Sequence, residues 1–182
     1  MPAGPVRTLV LGPASSGKSA LAEDLFAAEP AVVYAATGPQ PGPGDEAWAH
    51  RVAVHRERRP PWWVTQEGPD LPALLSTPGP PLLVDSLGTW VAGTMDSAGA
   101  WNDAPGWREQ VEDAVDAVVR AWRQARRRVV AVGEEVGWGV VPAERGTTAF
   151  REVLGGLAQR LADASEQVLL VVAGRTLELG AP

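Results

Sequence analysis

Hydrophobic positions along this chain gather in short, largely continuous runs rather than in alternating ones, at residues 6–11, 31–36, 81–85, 129–132 and 168–172, with Arg7 and Thr8 inside the first and Asp85 closing the third. Each run is rich in valine, leucine or alanine and lacks the polar alternation of a half-exposed strand, so it predicts a strand covered on both faces. The segments between most of the runs have helical spacing instead. Over residues 107–127, Val111, Val115, Val118, Val119 and Trp122 share one helical face. Acidic residues lead that segment and Arg126, Arg127 and Arg128 close it, as the helix dipole favours at a solvated C-terminal end. Residues 20–26 and 45–60 give two further helices, the second ending at a proline. Strands alternating with helices imply βαβ crossovers, hence an α/β fold with a mostly parallel central sheet and helices on both faces.

In open sheets of this kind ligands sit beyond the carboxyl ends of the strands, so the residues that follow each run carry the candidate chemistry. After the first run comes Gly12-Pro13-Ala14-Ser15-Ser16-Gly17-Lys18-Ser19, which satisfies G-x-x-x-x-G-K-[ST] at every required position. In that pattern the backbone N–H groups turn inward on phosphate oxygens, the lysine reaches the β- and γ-phosphates, and the hydroxyl ligates Mg²⁺. The expected fold is therefore a three-layer P-loop NTPase-like one that binds a nucleoside triphosphate through residues 12–19. Thr37 and Gly38 follow the second run, Asp85 ends the third, and Glu134 and Glu135 follow the fourth. Asp85 reads as a second Mg²⁺ ligand beside Ser19, or as the cap of a helix that begins at Ser86.

Composition narrows the partners. A chain of 182 residues is of single-domain size, and 1–182 is expected to form one domain. A formal charge of −6 and a pI near 4.9 argue against a nucleic-acid surface or an anionic-membrane surface and favour small-molecule substrates. No apolar stretch approaches the roughly 20 residues of a membrane span, so no membrane insertion is expected. The first residues lack a charged segment followed by a long apolar one, and there is no cysteine, which together lead to a cytoplasmic expectation. Of the two histidines, His50 reads as a surface residue. His55 lies in a basic segment with Arg51, Arg56, Arg58 and Arg59. Such surroundings suit a triphosphate better than a metal ion and are expected to leave a neutral, nucleophilic imidazole; the plain alternative is a surface histidine on a basic helix. Most of the eight tryptophans read as packing residues; Trp62 and Trp63, which follow the basic segment, leave two readings open, packing like the others or bordering a bulky substrate.

These residues resemble one family closely, the bifunctional adenosylcobinamide kinase and adenosylcobinamide-phosphate guanylyltransferases of cobalamin biosynthesis. The resemblance runs through the P-loop, Val33-Tyr34-Ala35-Ala36-Thr37, Asp45-Glu46, Arg51, His55, Arg59-Pro60, Trp63, Glu67 and Val84-Asp85. It continues through Glu135-Val136-Gly137-Trp138-Gly139-Val140-Val141-Pro142, Arg145, Phe150-Arg151 and Gln159-Arg160-Leu161-Ala162. It implies phosphorylation of adenosylcobinamide by ATP or GTP, then transfer of GMP from GTP to adenosylcobinamide phosphate through a guanylylated histidine. In this sequence it implies His55 as guanylyl carrier, and Lys18 and Glu135 as further catalytic residues. It also implies Arg56, Glu57, Arg58, Arg59 and Glu67 near the nucleotide, and a homo-oligomer, typically a trimer. The chain departs from the family's usual pattern at Ser15, Ser86, Gly88, Gly133, Glu134 and Ala158. Gly133 and Glu134, with Ser15, leave two alternatives open: a guanylyltransferase without kinase activity, in which the extra carboxylate repels ATP, and a non-catalytic nucleotide-binding regulatory relative.

Overall fold

A computed structural model describes residues 7–180. The strands are β1 (Arg7–Gly12), β2 (Val33–Ala36), β3 (Val64–Glu67), β4 (Leu82–Asp85), β5 (Val129–Glu134), β6 (Gln167–Val172) and β7 (Arg175–Leu179). The helices are α1 (Lys18–Asp24), α2 (Glu46–Arg58), α3 (Leu71–Ser76), α4 (Leu87–Ser97), α5 (Trp107–Gln124) and α6 (Arg145–Ala162). The strands form one sheet in the order β3-β2-β4-β5-β1-β6-β7. Strands β1 to β6 run parallel, and β7 returns antiparallel to β6.

The pleat divides the apolar runs between two cores, because successive side chains in a strand point to opposite faces. Leu9, Leu11, Val33, Ala35, Leu82, Val84, Val129 and Ala131 face α3, α4, α5 and α6, where they meet Leu75, Val91, Met95, Val118, Trp122 and Leu157. Val10, Tyr34, Leu83, Val130 and Val132 face the other side, with Ala22 of α1, Phe26 and Trp63. Every expected strand is present; residue 6, the start of the first run, lies outside the described residues. Strands β3 and β7 were not expected. They are the two edges of the sheet, and every residue in each is exposed, so neither carries an apolar run. A two-residue turn at Ala173 and Gly174, with φ of 50° and 72°, folds β7 back on β6, as a type I′ hairpin requires.

One expectation about packing is corrected and one open reading is decided. The helix over 107–127 stops at Gln124, and the arginine run lies in the connection to β5. Arg127 is not a solvated cap: it is buried and donates to the carbonyls of Leu74 and Pro80, while Arg128 pairs with Glu29 over the Phe26 ring. Trp63 does not border a substrate site, because it is buried edge-on against Phe26 with ring centroids 6.4 Å apart. Trp62 is exposed and lies away from the cavity described below.

Gly12 joins the sheet to the site. A Cβ there would lie 2.4 Å from the carbonyl oxygen of Val171 and 2.6 Å from Ser16 Oγ, and the first of these is backbone that cannot swing away. Gly12→Ala is expected to destabilise the protein by about 1–3 kcal/mol, the usual cost of overpacking, and to weaken nucleotide binding by displacing the loop. Urea unfolding midpoints together with a nucleotide titration check both effects.

Candidate active site

The chain leaves β1 through Gly12–Ser19 and enters α1 directly at Lys18. Two residues of the loop take positive φ, Ser15 at 59° and Gly17 at 96°. The second of these turns the backbone into the N-terminus of α1 at little cost only because it is glycine. Lys18 is buried, and its ammonium donates to the Pro13 carbonyl at 3.3 Å, folded back along the loop.

Asp85, the last residue of β4, is the centre of the site. Its Oδ2 accepts the Tyr34 hydroxyl at 2.7 Å and lies 3.3 Å from His55 Nδ1; its Oδ1 accepts the Ser19 hydroxyl at 3.5 Å. Burial opposes the charged carboxylate, but hydrogen bonds from His55 and Tyr34, with the charge of Lys18, outweigh it and hold the carboxyl below its ordinary value. Burial and the adjacent Asp85 charge both raise the Tyr34 phenol, which therefore stays a donor. Asp85 does not cap α4. Ser86 does so in a reciprocal capping box with Thr89, and Thr37 supports that turn by accepting from Ser86 N at 2.9 Å.

His55 reaches Asp85 from α2, a helix that buries none of its residues. Here the electrostatic expectation is corrected: the charge nearest to the ring is a carboxylate, not a guanidinium. The arginines have their own partners. Arg56 pairs with Glu67, Arg58 with Glu23 at 3.1 Å, and the Arg59 guanidinium lies 3.6 Å from the Tyr34 ring centre while donating to His55 O and Thr65 Oγ1. Burial raises the Glu23 carboxyl despite the salt bridge from Arg58. Glu23, His55 and Asp85 thus bring one ligand atom each within 4.8 Å of one another, although each acid is already engaged.

A cavity of about 470 Å³ opens over the loop and under α2. Ala14, Ser15, Ser16, Gly17, Lys18 and Ser19 line it, as do Gly38, His55, Arg56, Arg58, Arg59, Glu67 and Asp85. Gly12, Pro13, Thr37, Glu57 and Glu135 do not. Gly12 and Thr37 shape the surrounding backbone, and Glu57 is exposed on α2. Glu135, expected as a catalytic acid, gives only its backbone N–H to the site region, donating to Gly12 O at 3.0 Å. Its neighbour Glu134 lines the cavity instead and accepts from Gly88 N at 2.8 Å. Glu134 does not stand as an isolated repelling charge, because this hydrogen bond comes from the N-terminal turn of α4, where anions are favoured. Gly133 has a packing reason: a Cβ there would lie 2.8 Å from the Leu11 side chain. The loop after β5 is fastened by Arg151, which donates to the carbonyls of Gly137 and Val140 at 2.9 and 2.7 Å.

The donor set fits a hard divalent cation at Ser19 and Asp85, two oxygen ligands at the mouth of a phosphate loop. No helix among the described residues is long and apolar enough to cross a membrane.

Comparison with known proteins bears on the fold and the family. The chain is similar in fold to a prototypical ATPase from the type III secretion system of pathogenic bacteria, with a TM-score of 0.55 and 12% identity over 90% of this chain and 50% of that one. It is likewise similar to the ATPase EscN of enteropathogenic E. coli, with a TM-score of 0.52 and 10% identity over 93% of this chain and 43% of that one. The chain thus spans about half the length of these ATPases, and the likeness is one of fold. Nearly full-length similarity is found to the bifunctional adenosylcobalamin biosynthesis protein CobU of Salmonella typhimurium, 34% identical over 91% of this chain and 95% of that protein. The protein of the same description, CobP, from Pseudomonas aeruginosa is 35% identical over 96% of this chain and 97% of its own length. The cobinamide kinase / cobinamide phosphate guanyltransferase family matches residues 8–179, and the chain belongs to that family.

Proposed function

We propose that this chain phosphorylates adenosylcobinamide with ATP or GTP and then transfers GMP from GTP to the resulting phosphate, giving adenosylcobinamide-GDP and pyrophosphate. The observation that carries this reading is the placement of His55 against Asp85, in the same cavity as a complete phosphate loop. In this reading residues 1–182 act as one domain serving both transfers.

For the first transfer, the backbone of residues 14–17 cradles the phosphates and Lys18 swings from the Pro13 carbonyl to the β- and γ-phosphates. Ser19 and Asp85 would hold Mg²⁺, which would neutralise charge on the phosphate oxygens when bound. Electrostatic stabilisation of the transferring group is the main demand in such chemistry. For the second transfer, His55 donates its Nδ1–H to Asp85 Oδ2, which fixes the ring and leaves the Nε2 lone pair as the nucleophile. Nε2 attacks the α-phosphorus of GTP; the N–P bond forms as the bond to the bridging oxygen breaks, and pyrophosphate departs. A phosphate oxygen of adenosylcobinamide phosphate then attacks the same phosphorus and releases the imidazole. Arg56, Arg58 and Arg59 exchange their present partners for nucleotide phosphates, and Glu67 at the end of β3 accepts hydrogen bonds from the guanine edge. Incubation with GTP, Mg²⁺ and adenosylcobinamide is expected to yield adenosylcobinamide-GDP by mass spectrometry. Nucleotide binding with no corrinoid product would sink the reading.

The same reading includes a homotrimer. It is supported by α2, which has no buried residue and leaves Val54 exposed at the edge of the cavity, a surface that a neighbouring subunit would cover. Light scattering is expected to give about three times 19.1 kDa, and the mass of one chain would refute it.

A further inference from the structure

We infer that Glu134 is the base that takes the proton from the hydroxyl being phosphorylated, and that the absence of a side chain at Gly88 makes room for it. The inference rests on the kinase half of the proposed function.

Strand β5 lies between β1, which delivers the phosphate loop, and β4, which delivers Asp85. Glu134 is in register with Gly12, and Asp85 is in register with Val132, so β5 carries Glu134 two residues beyond the level of Asp85, about 6.6 Å further toward the cavity. Three carboxylates line that cavity: Glu67, Asp85 and Glu134. Asp85 is committed to Ser19, Tyr34 and His55. Glu67 is committed to Arg56 and sits on the edge strand β3, with β2, β4 and β5 between it and β1. Glu134 adjoins the loop strand and commits one oxygen, Oε2, to Gly88 N at 2.8 Å; Oε1 forms no hydrogen bond among the described residues. A base needs such an uncommitted oxygen, held in place beside the phosphate to be transferred.

The holding contact depends on glycine. A Cβ at position 88 would lie 2.3 Å from Glu134 Oε2 and 2.9 Å from its Cδ. Any side chain there pushes the carboxylate off the α4 N-terminus, so Gly88 is a positioning residue that acts through Glu134. In the step itself the corrinoid hydroxyl oxygen bonds to the γ-phosphorus while the bond from that phosphorus to the β-phosphate bridging oxygen breaks. The electron pair leaves with the nucleoside diphosphate, and the hydroxyl proton passes to Glu134 Oε1, then to solvent.

The test is the rate of adenosylcobinamide phosphate formation at saturating nucleotide. Glu134→Gln keeps the shape and the oxygen that accepts from Gly88 N, and is expected to lower kcat by about 10²–10⁴-fold with little change in nucleotide KM and in thermal midpoint. Gly88→Ala is expected to lower kcat as well. Adding Glu134→Asp to it, which shortens the acid away from the new methyl group, is expected to recover part of that loss, a coupling that two independent defects would not give. An unchanged rate in Glu134→Gln, or losses that simply multiply in the double variant, overturns the inference while leaving the kinase reading intact. A wild-type protein that makes no corrinoid phosphate overturns both.

Discussion

Replacing His55 by alanine is expected to abolish covalent labelling of the protein by GTP. Intact mass after incubation with GTP and Mg²⁺ should show one added GMP on the unaltered protein and none on His55→Ala. The adduct should be lost in acid and kept in base, as a phosphoramidate bond requires. Formation of adenosylcobinamide-GDP should fall by at least about 10³-fold, because in the proposed two-step displacement loss of the nucleophile removes the whole path rather than one stabilising contact. The phosphorylated corrinoid should then accumulate, since His55 meets Asp85 through one edge of its ring and supports no other element of the core. An adduct of undiminished yield on the alanine variant would place the nucleophile elsewhere and reduce His55 to a ligand of Asp85. The other histidine gives the contrast: His50 lies on the same helix and lines the cavity, yet it is not within ion-pair distance of any acid among the described residues, so His50→Ala should leave the adduct in place.

Asp85→Asn is expected to impair both transfers, by about 10²–10³-fold each, because in the proposed function one carboxylate serves both as cation ligand and as partner of the carrier histidine. Asparagine preserves the shape and can still accept from the Tyr34 hydroxyl, so the fold survives and the loss reports charge. Steady-state rates for each half-reaction check this, and a variant impaired in only one half would break the link between them. The same substitution has a signature in stability. The folded-state pKa of Asp85 is depressed below its ordinary 3.8, so its ionisation stabilises the metal-free protein at pH values above 3.8. That contribution is lost as the pH falls from 3.8 through the folded value. The difference in urea midpoint between wild-type protein and Asp85→Asn should therefore shrink with acidification below about pH 4, and a difference that held constant would mean that the carboxyl is not depressed.

Much of the sheet was legible because its inner strands are covered on both faces, a demand that writes itself into the sequence as unbroken apolar runs such as residues 81–84 and 129–132. The edge strands β3 and β7 escaped for the complementary reason: a strand exposed along its whole length can have almost any composition. The phosphate loop was legible since its function needs eight consecutive residues. The meeting of His55 with Asp85 was not, because it depends on β2 lying beside β4 and on α2 leaning back over both. Nor were the acid partners of the arginines, Glu23 and Glu67, which come from other elements. Glu134 and Glu135 show how fine the margin is: adjacent residues at the end of a strand leave in opposite directions, so being one position out exchanges a cavity-lining carboxylate for one that points elsewhere. Arg127 escaped because a buried guanidinium satisfied by two carbonyls has the same local sequence as a solvated one.

Because α2 buries none of its residues, the segment that carries His55 contributes little to what keeps the chain folded. In the single chain its local opening is correspondingly cheap, and its amides should exchange with solvent long before those of β1 or β5 wherever no neighbouring subunit covers them. On α2 the demands of chemistry are thereby separated from those of folding, whereas Tyr34 and Asp85, on β2 and β4, answer to both. Substitutions on α2 away from His55 and its arginines should therefore leave the core of the single chain intact, and their cost should appear in activity or assembly instead of in the stability of the sheet beneath.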